Sequence, residues 1–227
     1  MSNQHTETCY ACNEPATSRE HVPPRCLFPN SLASGDALGT DRITVPSCDL
    51  HNGKKSGDDD LLRLALISTA KDPSTELDLT RRTVRGLVRK PALLNDVIGQ
   101  LGPQFNEFGV LTGFDGTQAV LDNGAVYRAL VSVARGLFFH EFGRRFAEDP
   151  MVIAPSLVLH VRETDNGPEE VTLDGLDDAM DGLPWKGAVA DVFTYRCFGG
   201  RKPRSWFGVI EMHFYRKHRV FAVSGNN

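Results

Sequence analysis

The pattern of hydrophobic and polar positions changes near residue 61. Residues 1–59 show little apolar periodicity, apart from a short strand predicted at residues 43–45 and ended by Pro46. Helical spacing of apolar residues then predicts helices over residues 52–66, 80–89 and 92–101. A wide apolar face predicts the longest helix over residues 126–146. Between them, residues 102–124 contain several glycines and predict a loop or a small hairpin.

The last third of the chain has the pattern of β-strands. Runs rich in β-branched and aromatic residues predict strands at residues 152–161 and 189–196. Residues 206–215 and 219–223 resemble the arms of a hairpin that turns at Lys217-His218, and the acidic segment 165–184 predicts a loop with a short helical turn. The expected fold class is α+β: a small N-terminal module, 1–66, is followed by an accessory region of unknown role, 67–227, with a helical segment and an antiparallel β-rich end.

Composition and charge restrict the class of protein. The 227 residues are 41% hydrophobic and 24% charged, as in ordinary globular proteins, and no apolar run is long enough to cross a bilayer. The start of the chain has no signal-peptide pattern, so we expect a cytoplasmic protein. A net charge of −4 argues mildly against nucleic-acid binding. Basic stripes at residues 81–90, 201–204 and 216–219 can nevertheless supply local phosphate contacts.

The cysteines predict a structural zinc site. Cys9 and Cys12 form one pair with a two-residue gap, and Cys48 and His51 form a second. Two such pairs supply the four soft or borderline ligands of a closed zinc tetrahedron, in which no position is left for substrate. Cys26 and Cys197 lack such spacing and are interpreted as small hydrophobic residues. The metal would replace the hydrophobic core that residues 1–59 cannot build.

Candidate catalytic residues lie between and beside the zinc ligands. Closing the zinc site brings Glu20, His21 and Asn52 towards each other. The Glu20 carboxylate and the Asn52 amide oxygen suit a hard cation such as Mg²⁺ or another divalent ion. His21 follows Glu20 on an extended segment, so its side chain points to a different side and can act on water as a general base.

These segments resemble the HNH endonuclease family. The resembling residues are Cys9, Cys12, Glu20-His21-Val22-Pro23-Pro24, Val45-Pro46-Ser47-Cys48, His51-Asn52 and Lys55-Ser56. The resemblance implies a zinc-stabilised ββα-metal nuclease module that hydrolyses phosphodiester bonds of DNA with one divalent ion. It places the general base on His21 and the ion on Glu20 and Asn52. Lys55 and Arg25 are the expected substrate contacts.

Two positions differ from the family pattern. The fourth zinc ligand, usually Cys, is His51, which is also a competent ligand. The middle Asn of the family is expected near position 43, where this chain has Ile43. Because that Asn braces the loop that carries the catalytic His, its replacement is expected to affect rate more than reaction class.

Two other interpretations remain open. In the first, the module is a non-catalytic zinc-binding unit for nucleic-acid or protein interaction, and Glu20 and His21 are remnants. In the second, residues 67–227 bind a regulatory partner or a small activating ligand that controls the nuclease, or they join two copies of the chain in a homodimer. Retention of Glu20, His21 and Asn52 together favours the nuclease, because a pure binding module does not need an oxygen-ligand site.

Overall fold

The computed structural model describes eleven parts of the chain. They are residues 7–28, 42–53, 56–68, 85–86, 89, 102–105, 111–115, 123–157, 173–189, 191–201 and 206–224. The helix predicted over residues 92–101 lies outside these parts, as does most of the one predicted over residues 80–89. The described parts form an α+β structure, as the sequence predicts.

The N-terminal part is a β-hairpin followed by helix. Strand β1 (Ser18–Val22) pairs antiparallel with β2 (Ile43–Ser47), and the short 3₁₀ turn Arg25–Leu27 follows β1. Helix α1 (Asp49–Asn52) begins directly after β2, and α2 (Ser56–Ser68) follows it. The predicted end of β2 at Pro46 is wrong. Pro46 lies inside the strand, and its carbonyl accepts a hydrogen bond from the Tyr10 N–H.

Helix α3 (Asn123–Phe142) lies at the centre of the fold, near the predicted position. It packs on α2 and the hairpin, and also on strands of the C-terminal sheet. Its buried residues recur at the spacing of a helix with a wide apolar face; they are Ala125, Val126, Ala129, Leu130, Val133, Ala134, Leu137 and Phe138. This helix therefore joins the two parts of the chain.

The C-terminal part is a five-stranded antiparallel sheet. Its strands are β5 (Met151–Ile153), β6 (Lys186–Val189), β7 (Phe193–Arg201), β8 (Trp206–Phe214) and β9 (His218–Ser224), in the order β5-β9-β8-β7-β6. The predicted hairpin of β8 and β9 is confirmed, with its turn at Tyr215–Lys217. The single strand predicted over residues 189–196 is wrong. A turn at Asp191 and Val192 divides this segment into β6 and β7, which then pair with each other.

Two smaller elements complete the described fold. Strands β3 (Gly102–Phe105) and β4 (Leu111–Asp115) form the small hairpin that the glycine-rich segment predicts as one of two alternatives. Helix α4 (Leu173–Met180) lies in the predicted acidic segment and buries Leu176 and Met180. These two residues pack with Phe221 of β9 in a small second cluster. None of the described helices is long and apolar enough to cross a membrane.

One hydrophobic core includes residues from both predicted units. Val22 and Leu66 of the N-terminal part belong to the same buried cluster as Leu130 of α3 and Ile210 of β8. A hydrogen bond of 2.7 Å from the Tyr215 hydroxyl to the Leu27 carbonyl adds a polar connection. The sequence pattern therefore changes near residue 66, but one hydrophobic core continues across this boundary.

Helix α3 lies close against the hairpin at Gly136. A Cβ atom at this position would lie 2.6 Å from Val22 Cγ2 and 3.1 Å from Val22 Cγ1. Real carbon atoms do not approach so closely, and the β-branched Val22 side chain has little rotamer freedom to move away. Glycine at this position lets the helix backbone lie against the strand that carries Glu20 and His21.

We expect Gly136→Ala to lower the free energy of unfolding by about 1–2 kcal/mol, because overpacking against Val22 outweighs the gain in helix propensity. Gly57→Ala is the matched control. Gly57 is also helical but has open space where a Cβ would lie, so alanine should stabilise by about 0.5 kcal/mol. Urea unfolding measures both changes. A second substitution, Val22→Ala, should recover part of the loss; equal stability of Gly136→Ala and wild type would contradict the close contact.

A buried histidine also connects the sheet to the N-terminal part. His218 of β9 is 1% exposed, and burial lowers its pKa to about 4, with a smaller contribution from Lys217 and an opposing hydrogen bond to the Leu66 carbonyl. The imidazole is therefore neutral in the folded protein at pH values where it is charged in the unfolded chain.

Because the unfolded chain binds this proton near pH 6.5, we expect His218 to reduce stability as the pH falls from about 6.5 to about 4. The loss should approach about 3 kcal/mol at the acid end. Denaturant unfolding of wild type and of His218→Gln across this pH range separates the contribution of His218 to stability from the contributions of the other titratable groups. Above pH 7 the difference between the two proteins should be constant. A difference that stays constant down to pH 4 would exclude the proposed titration.

Candidate functional site

The four predicted zinc ligands lie together in the structure. The ligand atoms of Cys9, Cys12, Cys48 and His51 are all within 4.8 Å of one another. The first two residues lie on the loop before β1, Cys48 lies between the end of β2 and the start of α1, and His51 lies on α1. The sequence folds this way locally because α1 begins immediately after Cys48, so that the His51 N–H bonds the Cys48 carbonyl.

The distances between ligand atoms match a tetrahedral zinc site. Cys12 Sγ lies 3.7 Å from Cys48 Sγ, and His51 Nδ1 lies 3.6 Å from Cys9 Sγ and 3.2 Å from Cys48 Sγ. Zinc bonds of about 2.3 Å to sulfur and about 2.0 Å to nitrogen require separations of about 3.8 Å between sulfurs and about 3.5 Å between sulfur and nitrogen. The four residues can therefore hold a metal ion such as zinc, and all four positions of the tetrahedron would come from the protein.

The loop that carries Cys9 and Cys12 is attached to the hairpin by its backbone. Tyr10 donates its N–H to Pro46, and Cys9 donates its N–H to Glu14 within the loop. The Ala11 N–H points at Cys9 Sγ from 3.4 Å, an orientation that favours a thiolate. These bonds hold the first ligand pair against the end of β2, next to the second pair.

Glu20 is buried on the inner face of β1, where it is 4% exposed. Its Oε2 lies 3.4 Å from the hydroxyl of Ser47, which donates to it. Tyr10 is also buried, and burial together with the negative charge of Glu20 holds the pKa of its hydroxyl well above its usual range. The carboxylate is thus surrounded by polar groups of both the hairpin and the zinc loop.

Asn52 lies at the end of α1 and also faces β1. Its Nδ2 donates to the Ser18 hydroxyl over 2.8 Å, which leaves the amide oxygen outside this bond. Ser18 and Glu20 are two residues apart on β1, so they share one face of the strand. The structure therefore brings Glu20 and Asn52 to the same side of the hairpin.

His21 lies on the opposite face of β1, as alternation along the strand predicts. Its partner in the register is Thr44 of β2. The imidazole is half-buried, and its pKa is lowered first by burial and then by the positive charges of Arg25 and Arg42. The neutral ring is therefore favoured at neutral pH.

The two expected substrate contacts have different outcomes. Arg25 is exposed at the start of the 3₁₀ turn and is close enough for its charge to affect His21. Lys55 lies outside the described residues.

Sequence reasoning missed two residues of this site. They are Arg42, which directly precedes β2, and Tyr10, which lies between the first two cysteines. Strand alternation from Thr44 is the signal that could have placed Arg42 beside His21.

We expect Cys48→Ser to reduce the bound zinc well below one ion per chain and to abolish cooperative folding of the N-terminal part, since structural zinc supplies much of the folding energy of such modules. Elemental analysis and thermal unfolding, monitored together, test this. Cys197→Ser is the control, because Cys197 lies in β7, outside the four-ligand cluster. It should keep its full zinc content. Full zinc in both variants would exclude the site.

Comparisons with known proteins found no similar protein. No protein-family model matches the chain, and no curated protein or solved structure is significantly similar to it. A functional conclusion must therefore come from the residues themselves. The strongest feature of the site is the four-ligand cluster, with Glu20 and Asn52 on one side of the adjacent hairpin and His21 on the other.

Proposed function

We propose that this protein is a metal-dependent endonuclease of the HNH type, which hydrolyses phosphodiester bonds in DNA. The observation that carries the proposal is the position of His21. A half-buried imidazole lies beside Arg25 and Arg42, on a hairpin connected to a four-ligand zinc cluster. A neutral imidazole can accept a proton, and cationic neighbours attract a phosphodiester.

Two oxygen donors, on the opposite face of β1 from His21, suit a hard divalent ion. Glu20 offers a carboxylate oxygen, and the Asn52 bond to Ser18 through nitrogen leaves the amide oxygen as its donor atom. Bound there, Mg²⁺ would supply electrostatic stabilisation of the negative charge that develops on phosphorus and on the departing 3′ oxygen. The zinc cluster would be structural, because its four positions are filled by protein.

The remaining chemistry belongs to the side chains. A water molecule attacks phosphorus, and His21 takes its proton as the new P–O bond forms. The bond from phosphorus to the 3′ oxygen breaks, and that oxygen leaves with the electron pair and takes a proton from solvent. Thr44 lies across from His21 on β2. Arg19 donates from Nε and Nη2 to Thr44, which fixes this part of the hairpin.

A second function is favoured by one observation, the burial of Glu20. The hydrogen bond from the Ser47 hydroxyl gives the buried carboxylate a structural role, which a non-catalytic zinc module would also retain. Such a module would bind nucleic acid or protein through the same surface and cut nothing. Ile43 in place of the expected Asn is consistent with this alternative.

We expect purified protein to nick supercoiled plasmid DNA in magnesium buffer and His21→Ala to lower the rate by about 10²–10⁴-fold, the usual contribution of a general base. His140→Ala is the matched control. His140 is exposed on α3, so its removal should leave the rate unchanged. Zinc content and circular dichroism establish that both variants are folded.

Two results would decide against the nuclease. If His21→Ala cut at the wild-type rate, the general-base assignment would be wrong. If wild type bound zinc and DNA but did not cut with Mg²⁺ or Mn²⁺, the binding-module alternative would replace the nuclease. Chelation with EDTA should stop cutting, and elemental analysis after the treatment shows whether zinc was also lost.

A further inference from the structure

The C-terminal sheet has one face against α3 and one face turned away from it. Gly199 of β7 and Gly208 of β8 pair directly, and both lie against aromatic rings of α3. Alternation along each strand therefore places their neighbours Phe198 and Phe207 on the other side of the sheet. We call this side the outer face.

Two phenylalanine rings meet on the outer face near the end of the β7–β8 hairpin. The ring centroids of Phe198 and Phe207 are 5.6 Å apart, with an angle of 61° between the ring planes. A Cβ atom on Gly200 would lie 3.0 Å from Phe207 Cε1, so glycine at this position lets the Phe207 ring lie over the backbone of β7. Phe198 beside it is 42% exposed. The Phe198 ring is therefore held by a ring contact and still open to solvent.

A tryptophan lies on the same face. Trp185 directly precedes β6, and 43% of its surface is exposed. The Arg196 guanidinium lies 4.7 Å from the centroid of the Trp185 ring, and the His213 ring centroid lies 4.3 Å from it. Arg196 is two residues before Phe198 on β7, and its Nε donates a hydrogen bond of 2.6 Å to Glu211. The cation that contacts Trp185 is thus fixed on the same face as Phe198.

Exposed aromatic rings are concentrated on this face. Single exposed hydrophobic residues are normal at a protein surface, but a group of them indicates a binding surface. In the described parts of the chain four large hydrophobic side chains are exposed, and two of them, Trp185 and Phe198, are aromatic. Both belong to the outer face. The other two, Leu50 and Leu173, lie on the separate helices α1 and α4.

The β7–β8 hairpin has the opposite charge to the whole chain. The chain carries a net charge of −4, yet residues 192–210 contain four basic residues and no acidic one. Glu211 compensates Arg196, and the other three positive charges belong to the basic stripe 201–204, which follows directly after Gly200 in the chain. They are Arg201, Lys202 and Arg204. A ligand that complements both features has flat rings and negative charge.

We propose that the outer face binds a single-stranded segment of nucleic acid by stacking its bases on Phe198 and Trp185. Bases stack on exposed aromatic rings whatever their sequence, and basic residues nearby attract the backbone. The strand must be single, because the bases of a duplex already stack on each other. A purely apolar protein partner would not account for the positive charge of the hairpin. The site gives the C-terminal region a role in binding. It uses none of the residues of the proposed nuclease and does not rest on that function.

The experiment compares two strands with the same phosphates. Full-length wild type, in buffer without added magnesium, is titrated against a labelled oligothymidylate of about 12 nucleotides by fluorescence anisotropy. The matched probe is an abasic strand of the same length. Because stacking requires bases, the oligothymidylate should bind about tenfold or more tightly than the abasic strand.

Substitutions of Phe198 test whether an aromatic ring is needed. Phe198→Ala should weaken binding of oligothymidylate by about 5- to 100-fold, the usual effect of removing one stacking ring. Phe198→Tyr should keep the affinity, whereas Phe198→Leu should lose most of it, because leucine keeps apolar surface without a ring. Leu173→Ala is the matched control. Leu173 is 43% exposed, as large an exposed fraction as that of Phe198, and its removal should leave the affinity unchanged.

Trp185 supplies a second readout that needs no loss of binding. The chain has two tryptophans, so Trp206→Phe leaves Trp185 as the single one. A base that stacks on Trp185 should quench its fluorescence, and the abasic strand should not. Thermal unfolding of every variant shows that it is folded.

The outcomes separate this inference from the nuclease proposal. If oligothymidylate binds no more tightly than the abasic strand, or if Phe198→Leu binds like wild type, the stacking site is wrong. If the Phe198 variants change only self-association in sedimentation, the outer face joins two copies of the chain and the proposal is also wrong. Plasmid nicking would survive either result. Base-dependent binding by a protein that does not cut DNA would support the stacking site and remove the nuclease.

Discussion

The contact between Gly136 and Val22 is the constraint on which the arrangement of the fold depends. It brings the backbone of α3 against β1, the strand that carries Glu20 and His21. The other side of the same helix packs on the sheet, where Gly208 leaves room for the ring of Phe138. Glycine at each of these two contacts therefore lets α3 pack closely against both the hairpin and the sheet. The result is a single core in which the hairpin is supported by residues distant in sequence.

The cluster of four possible metal ligands is connected to the hairpin through Tyr10. This residue lies between the first two ligands, donates its N–H to the Pro46 carbonyl of β2, and is close enough to Glu20 for that negative charge to raise the pKa of its hydroxyl. A buried carboxylate requires such partners, because desolvation without hydrogen bonds is costly. The metal ligands thus organise the surroundings of Glu20 without contacting it. This is the physical basis for the expectation that loss of zinc disturbs the whole N-terminal part.

Much of the candidate site could be predicted from sequence because its signals are local. Two-residue gaps predict the cysteine and histidine ligands, and strand alternation predicts that Glu20 and His21 face opposite ways. The long helix and the last hairpin follow from periodicity over many residues. Contacts between distant segments leave no such local signal. The sequence alone did not place Gly136 against Val22, and the turn at Asp191 lies within a run that resembles one strand.

The shared core determines whether the N-terminal part can fold as a separate module. A hairpin with two metal-ligand pairs and a following helix is a short unit. A unit of this size suggests an independently folding module that a linker could join to any accessory region. Here its buried surface is completed by α3, against which Val22, Leu62 and Leu66 are packed in one cluster. An excised N-terminal fragment would expose these side chains to water, with or without its metal. Joining the N-terminal part to a different region would therefore need a replacement helix with glycine at the position that faces Val22.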